Sequence, residues 1–441
     1  MTYFKRHIDQ YLEHWKNSES HKPLLLRGAR QVGKSSAVRN LGKSFEYYIE
    51  IDLEKRRDII SLFTDNIDIK MICAQISAIF KTPIIPGKTL LFIDEIQLSE
   101  RAIASLRYFY EDYSDLHVVA AGSLLEFALR EIPSFGVGRI RSLYMYPFSF
   151  DEFLEAQGHD GLVDYKRHLC SPENPLPEAM HNQLNEQLRS FYLTGGMPEA
   201  ISKWISTHDY TACSDVHNDI LSTYTDDFKK YKSRISPILL SNTLKSVARQ
   251  AGEKFTLSQI DETTGSRQAK EALTLLTLAG LIIPVTHSSS NGIPLGAEAN
   301  ERYRKYLMLD IGLMQSLLGL KAQSILLSDN MDFVNKGGMS EVFAGLEIIK
   351  YSSCTIAPEM YYWVRTQKNA LAEVDYVIAL NGDIIPIEVK AGTKGSMQSL
   401  RQFLDTKHSH IGIRTSMENF GMLKDIRIYP LSSLSTLLSH G

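Results

Sequence analysis

Cysteine is scarce in this chain of 441 residues, and its spacing excludes more than its number does. The four residues, Cys73, Cys170, Cys213 and Cys354, lie far apart with no C-x-x-C pair. That argues against a zinc knuckle or a disulfide framework and fits a reducing cytoplasm. No apolar run reaches the ~18 residues that a membrane span needs. The opening MTYFKRHIDQYLEHW has no apolar signal core and reads as an amphipathic helix, so neither export nor a membrane partner is expected. The 13 histidines form no H-E-x-x-H or comparable cluster, which leaves structural or solvent-facing roles. Charge of one sign is lacking too. A net charge of −3 excludes a coat for nonspecific nucleic-acid binding but not a local basic groove. The clearest basic stretch, Lys229-Lys230-Tyr231-Lys232-Ser233-Arg234, follows Asp226-Asp227 and reads equally as a solvated linker or helix end. Apolar and charged fractions of 44% and 22% are those of a globular protein, and the length calls for two to four domains.

What is present is a phosphate loop. Gly28-Ala29-Arg30-Gln31-Val32-Gly33-Lys34-Ser35 is a full G-x-x-x-x-G-K-S motif between the apolar run Leu24-Leu25-Leu26 and a helix-compatible stretch from Ser36 to Leu41. Glycines allow successive backbone N–H groups to turn inward around phosphate oxygens, where side chains would block approach. Lys34 supplies a mobile cation for the outer phosphates, the Ser35 hydroxyl can ligate Mg²⁺, and the helix opening at Ser36 points its positive end at the same anion. ATP with Mg²⁺ is the expected ligand.

A second motif supports the first. Thr89-Leu90-Leu91-Phe92-Ile93-Asp94-Glu95 is a continuous apolar run ending in two acids, the pattern of a central parallel strand. Its acids would sit at the crevice where open α/β sheets bind ligands. Asp94 would hold the magnesium shell and Glu95 would orient and deprotonate the attacking water. Without the loop, the pair would read as ordinary exposed acids at a strand end. Ser123, after the strand His117–Ala121, either senses the terminal phosphate or caps the next helix. An arginine in Gly138-Arg139-Ile140-Arg141 could neutralise charge on the transferred phosphoryl, within the subunit or across an oligomer interface; the alternative is a surface residue.

Alternation of short strands with helices over residues 1–150 predicts a parallel α/β sheet, with strands at Pro23–Arg27, Tyr47–Asp52, Thr89–Asp94, His117–Ala121 and Leu143–Tyr146. Residues 151–234 read as a helical lid. Its turn Gly195-Gly196-Met197-Pro198 could press on an adenine base or merely form a helix corner. Residues 235–320 read as three helices and a hairpin, a winged helix-turn-helix. Its third helix presents Arg267, Gln268, Lys270 and Glu271, with only two cations, so protein packing is favoured over DNA reading. After a linker at Lys321–Lys336, residues 330–441 read as a further α/β domain with an Asn381-Gly382 hairpin.

That last domain carries a second candidate site. Glu373 and Asp375 share one face of a strand, Glu388 and Lys390 share a face of the next, and the hairpin joins the two strands. Glu341, near the start of the preceding helix, could reach the same place. Asp375 and Glu388 would bind a second Mg²⁺ or Mn²⁺, and Lys390 would orient a water and stabilise an anionic phosphorane, the toolkit of metal-assisted phosphodiester cleavage. Strand-edge charges, or a similar fold that binds without cutting, explain the same residues.

With these motifs in place, the chain resembles the prokaryotic ATP-binding proteins that pair an AAA-type ATPase domain with a carboxyl-terminal domain of the DUF4143 type. The resemblance covers nearly the whole length. It rests on GARQVGKS, LLFIDEIQ, AAGSLLEF, the GR…YPFSFDEFL segment from Gly138 to Leu154, YLTGGMPEA, and EVDYV…IPIEVKAG. It implies a nucleotide role for Pro198 and raises Arg139 above Arg141. It also implies a restriction-endonuclease-type fold whose PD-(D/E)xK motif is filled by Asp375, Glu388 and Lys390. The expected function is ATP hydrolysis coupled to a nuclease-like module acting on DNA. The rival is a regulatory switch that works through protein partners and never cuts; a homo-oligomer is a further assembly compatible with either reading.

Overall fold

The computed structural model describes residues 3–64, 67–131, 138–230, 235–261, 264–319, 338–365, 372–392 and 396–438. The chain folds into two units, one of Met1–Pro147 with Ser353–Ala357 and one of Phe148–Ser352 with Pro358–Gly441.

Five short strands build the first unit, and the three central ones are buried on both faces through Leu24–Leu26, Leu90–Ile93 and Val118–Ala121. The five are β1 (Leu24–Arg27), β2 (Tyr47–Asp52), β3 (Thr89–Asp94), β4 (His117–Ala121) and β5 (Arg141–Tyr144). All pair in parallel, in the order β2-β3-β4-β1-β5. The helices α1 (His7–Lys16), α2 (Lys34–Gly42), α3 (Ile69–Phe80), α4 (Glu100–Asp112) and α5 (Leu125–Glu131) alternate with them. Polar caps start the helices where expected. Asp68 accepts the Met71 N–H at 3.0 Å for α3, and Ser99 accepts that of Ala102 at 3.1 Å for α4. One core packs Leu25, Ile49, Leu91, Ile93, Val118 and Ala120 of the strands against Ile72, Ile76, Ile103 and Leu106 of α3 and α4. The last strand starts two residues earlier than Leu143, because the Arg141 N–H pairs with the Pro23 carbonyl at 3.0 Å.

At the end of the sheet where the strands begin, α1 is held by aromatic packing. His21 and His117 stack with ring centroids 3.8 Å apart, Trp15 meets both edge-on, and Phe45 packs on His117. His117 Nε2 lies 3.0 Å from the Lys16 carbonyl, so the neutral tautomer donates there.

The second unit opens with helices α6 (Phe150–Ala156), α7 (Asp160–Leu169), α8 (Glu178–Thr194), α9 (Pro198–Thr207) and α10 (Tyr210–Asp227). The start of α6 gathers buried charge. Ser149 and Glu152 form a capping box, and the Glu347 carboxylate accepts the Phe150 N–H at 3.2 Å. Lys350 donates to both Glu347, at 3.3 Å, and the Phe148 carbonyl, at 2.8 Å. Asp151 is ion-paired with Lys166 and Arg167. Burial alone would raise its carboxyl; Lys166, Tyr351 and Arg167 together outweigh this and hold it down to about 2. The FSFDEFL segment is thus an assembly signal, set by helix capping and ion pairing.

Next come α11 (Pro237–Arg249), α12 (Ser266–Leu278), the hairpin β6 (Ile282–Ser288) and β7 (Ala299–Met308), and α13 (Ile311–Leu317). The expected second helix of the winged trio is a single 3₁₀ turn at Leu257–Gln259. Its entry cannot wind, because the Phe255 N–H bonds the Arg304 carbonyl at 2.9 Å and the Thr256 N–H bonds Gln250 Oε1 at 2.7 Å. Nor does the hairpin stand free as a wing. The remaining elements are α14 (Gly338–Lys350), β8 (Met360–Val364), β9 (Glu373–Leu380), β10 (Asp383–Val389), α15 (Gln398–Lys407), β11 (Gly412–Ser416), β12 (Gly421–Leu423), β13 (Ile426–Pro430) and α16 (Leu434–Leu438). β6 pairs in parallel with β8, so the hairpin extends one sheet of order β12-β13-β11-β10-β9-β8-β6-β7. The Asn381-Gly382 turn has φ of 52° and 86°, as a tight hairpin requires. The expected linker 321–336, the basic positions 231–234 and the loop residues Pro133 and Gly136 lie outside the described residues.

No helix among the described residues is long and apolar enough to cross a membrane. The histidine stack sets a pH dependence. Burial, then His21, pushes His117 from an ordinary 6.5 down to about 4, and burial lowers His21 as well. Asp115 and the Lys16 and Leu116 carbonyls oppose the shift, and the Lys16 ammonium adds to it. The unfolded chain therefore binds protons first, and this stability is full above pH 6.5 and lost as pH falls toward about 4. Thermal melts should show the melting temperature of the wild type falling over that range by a few degrees more than that of His21→Phe/His117→Phe. Parallel acid limbs would remove the histidines from the account.

Candidate functional site: a phosphate loop and a buried carboxylate cluster

The sheet order places β4 between β1 and β3, so three strand ends converge on one crevice. Gly28 follows β1 with φ +141°, and a Cβ there would stand 2.2 Å from the Met145 carbonyl oxygen. Only glycine fits. Gly33 has φ +102° and forms the N-cap of α2, whose first-turn N–H groups face the loop. Gln31, at φ +64°, completes the reversal. Ala29 and Val32 are buried, and Ser36 lies in the first turn of α2.

The charged groups are already mutually arranged. Lys34 donates to the Gly28 and Ala29 carbonyls at 2.8 and 2.7 Å. Burial lowers its ammonium to about 8, with Glu95 and Asp94 opposing. Ser35 Oγ donates to Asp94 Oδ2 at 2.6 Å, and the Glu95 N–H donates to Asp94 Oδ1 at 3.0 Å. Burial raises the Asp94 carboxyl, countered first by Ser35. A hydroxyl and a carboxylate facing each other beside a phosphate loop are hard oxygen donors that fit Mg²⁺. Ser123 Oγ donates to Glu95 Oε2 at 3.2 Å and accepts from Arg30 Nε at 3.0 Å. It therefore links the loop to the second acid, a task beyond starting a helix.

Two contributors escape sequence reading. Gln97 Nε2 bonds the same Glu95 oxygen as Ser123 does, and a Cβ on Gly122 would strike its Oε1. Arg6, 5% exposed, sends Nη1 to the Val32 carbonyl at 3.1 Å and Nη2 to the Tyr146 carbonyl at 2.8 Å. It clamps the loop to the end of β5, and no local pattern around it announces this. Two expected residues do not join the crevice within the unit. Arg139 precedes Arg141, which pairs with Leu24 at the opposite end of the sheet, and it is ion-paired with Glu111 of α4. Pro198 opens α9 in the second unit, after a turn in which the Gly196 N–H donates to Asp310 Oδ2 at 2.6 Å.

The second candidate site does assemble. The register Ile387 opposite Tyr376 puts Glu388 and Asp375, one step along, on one face. The Val389 N–H donates to Asp375 Oδ2 at 2.7 Å, and Lys390 Nζ donates to Glu388 Oε1 at 2.5 Å. Glu341 joins them from α14. The centre is held by a residue the motif does not contain. Lys305 of β7, 1% exposed, donates to Glu341 Oε1 at 2.7 Å, is ion-paired with Glu373, and lies 3.9 Å from Asp375 Oδ1. The one sequence signal is a lysine opening the apolar run Tyr306-Leu307-Met308-Leu309. Burial pushes Glu341 up to about 8 and Glu388 up to about 7, with Lys305 and Lys390 respectively opposing. Among the described residues, no group of three or more His, Cys, Asp or Glu side chains is arranged to hold a metal ion. With Lys305 in place, the residues around Glu341 fit an ammonium and not a second metal.

Residues 20–154 match the AAA domain family, residues 185–324 the domain of unknown function DUF8612, and residues 336–434 the domain of unknown function DUF4143. No curated protein matches the chain. Among solved structures, a Walker-type ATPase of Pyrococcus abyssi is similar at 16% identity, covering 72% of this chain and 96% of its own, with a TM-score of 0.45. The ORC1 protein of Aeropyrum pernix, solved in complex with DNA, is similar at 13% identity, covering 73% and 95%, with a TM-score of 0.30. The chain thus carries an AAA domain match over its phosphate loop and a DUF4143 match at its carboxyl-terminal end.

Arg6→Ala should weaken binding of a fluorescent ATP analogue at least about tenfold, because it leaves two carbonyls without their donor at ~1–3 kcal/mol each and ~1.4 kcal/mol is tenfold. Unchanged affinity in a fluorescence titration would show that the loop holds its shape without the clamp.

Proposed function

We propose that the chain is a Mg²⁺-dependent ATPase whose nucleotide state controls its carboxyl-terminal module. The observation that carries this is the linked set Lys34, Ser35, Asp94, Glu95 and Ser123 at three adjoining strand ends. Backbone N–H groups of Gly28–Ser35 and the first turn of α2 bind the phosphate oxygens, and Lys34 exchanges its loop carbonyls for the outer phosphates. Ser35 and Asp94 would hold Mg²⁺, which when bound neutralises charge on those phosphates. Glu95 orients a water and takes its proton, while Ser123 and Gln97 hold the Glu95 carboxylate in place. Arg139, at the far end of its own sheet, is assigned to a neighbouring subunit's nucleotide in an oligomer. Pro198 is assigned to the base.

The output of the module has two readings. In one, Asp375, Glu388 and Lys390 cleave DNA. In the other, the module is a switch that engages protein partners without cutting. The Lys305 ammonium among Glu341, Glu373 and Asp375 favours the second, since it leaves Glu341 unavailable to a cation.

Lys34→Ala should lower steady-state ATP hydrolysis at least about a hundredfold, and Glu95→Gln should do the same while retaining ATP binding. A fully active Lys34→Ala protein would falsify the assignment. For the module, DNA of several forms is incubated with Mg²⁺ or Mn²⁺. No cleavage above that of Glu388→Ala is expected; cutting that disappears in both Glu388→Ala and Lys390→Ala would establish the nuclease reading instead.

A further inference from the structure

We propose that Lys305 is the resident cation of the DUF4143 domain: its ammonium fills the point where Glu341, Glu373 and Asp375 converge, and it excludes a divalent ion while it stays there. The geometry is that of a filled cation site. Nζ is 2.7 Å from Glu341 Oε1, ion-paired with Glu373, and 3.9 Å from Asp375 Oδ1. It also lies 5.2 Å from the centre of the Tyr362 ring, whose face suits a cation. Tyr376 fixes the helix that brings Glu341, its hydroxyl donating to the Glu341 carbonyl at 2.7 Å.

A second observation is an excess of acids around that point. Among the described residues, four acids, Glu341, Glu373, Asp375 and Glu388, face two ammonium groups, Lys305 and Lys390. The buried Glu388, 5% exposed, keeps its Oε2 without a hydrogen-bond partner among the described residues. An unpaired carboxylate oxygen at that depth is costly unless a proton or a cation meets it. With Lys305 made neutral, three carboxylates lose their shared partner at once, and a divalent ion is the group that replaces it best.

Lys305 comes from β7, in the hairpin before the domain, so the cation reaches the cluster from outside the EVDYV…IPIEVKAG motif. The inference does not depend on whether the module cuts nucleic acid, because cation binding is measured directly. It is also independent of the phosphate loop, since the measurements omit nucleotide.

The experiment uses full-length protein and Mn²⁺ alone, followed by calorimetric titration and thermal melts. Wild type should show no Mn²⁺-dependent rise in melting temperature. Lys305→Met should melt lower than wild type, regain several degrees with Mn²⁺, and bind the ion at least about tenfold more tightly. Lys305→Met/Glu341→Gln, which removes opposite charges together, should recover stability without Mn²⁺ and lose the gain in affinity. Three outcomes overturn the proposal: Lys305→Met binds Mn²⁺ no better than wild type, the gain persists in the double variant, or Lys305→Met stays unfolded in Mn²⁺ while the double variant folds.

Discussion

A charge taken out of water must meet an opposite charge or give up its ionised form, and both units of this chain are organised around that requirement. In the first, Lys34 is buried against loop carbonyls with Asp94 and Glu95 nearby, so the loop carries an ammonium able to trade partners. In the second, Asp151 with Lys166 and Arg167, and Glu347 with Lys350, join α6 to its neighbours. Lys305 with its three acids joins the hairpin to the carboxyl-terminal sheet. Removing one partner from such a pair leaves a stranded charge, a greater loss than the pair's own net contribution.

One strand connects two features of the second unit. β7 carries Lys305 at the carboxylate cluster and leads directly to Asp310, which caps α13 through the Leu313 N–H at 3.0 Å. The same carboxylate takes the Gly196 N–H in the turn before Pro198. Gly195 sits there with φ +67°, and a Cβ on it would lie 2.3 Å from Asp310 Oδ1. The first glycine of YLTGGMPEA is therefore required by packing against Asp310 and Gly312. The carboxylate cluster and the Gly195-Gly196 turn are thus held by residues five apart, Lys305 within the strand and Asp310 just past its end.

Most of the first site was legible locally. G-x-x-x-x-G-K-S dictates its own backbone, and the run Leu90–Ile93 is buried on both faces, so the loop, strand β3 and the Asp94–Glu95 pair could be read in order. Ser123 could be placed but not given a task, because only the strand order shows it between Arg30 and Glu95. Arg6 and Gln97 were invisible, since their partners lie at Val32, Tyr146 and Glu95 and leave no periodic mark. Of the elements expected of a winged helix, the first and third helices and the hairpin form, yet the middle helix is held to one 3₁₀ turn by bonds from Phe255 and Thr256 to other segments.

By itself the sequence determined every feature whose cause lies within a few residues: the phosphate loop, the apolar strands, the Asn381-Gly382 hairpin, and the pairing of Asp375 with Glu388 across it. Tertiary structure alone decided the features that rest on distant pairing. It set β4 between β1 and β3, carried Arg139 to the end of its sheet away from the loop, fused the hairpin to β8, and brought Lys305 36 residues back to Glu341. The reason is one of range. Backbone geometry and side-chain alternation repeat every few residues, whereas the partner of a buried charge is chosen by the whole packed interior.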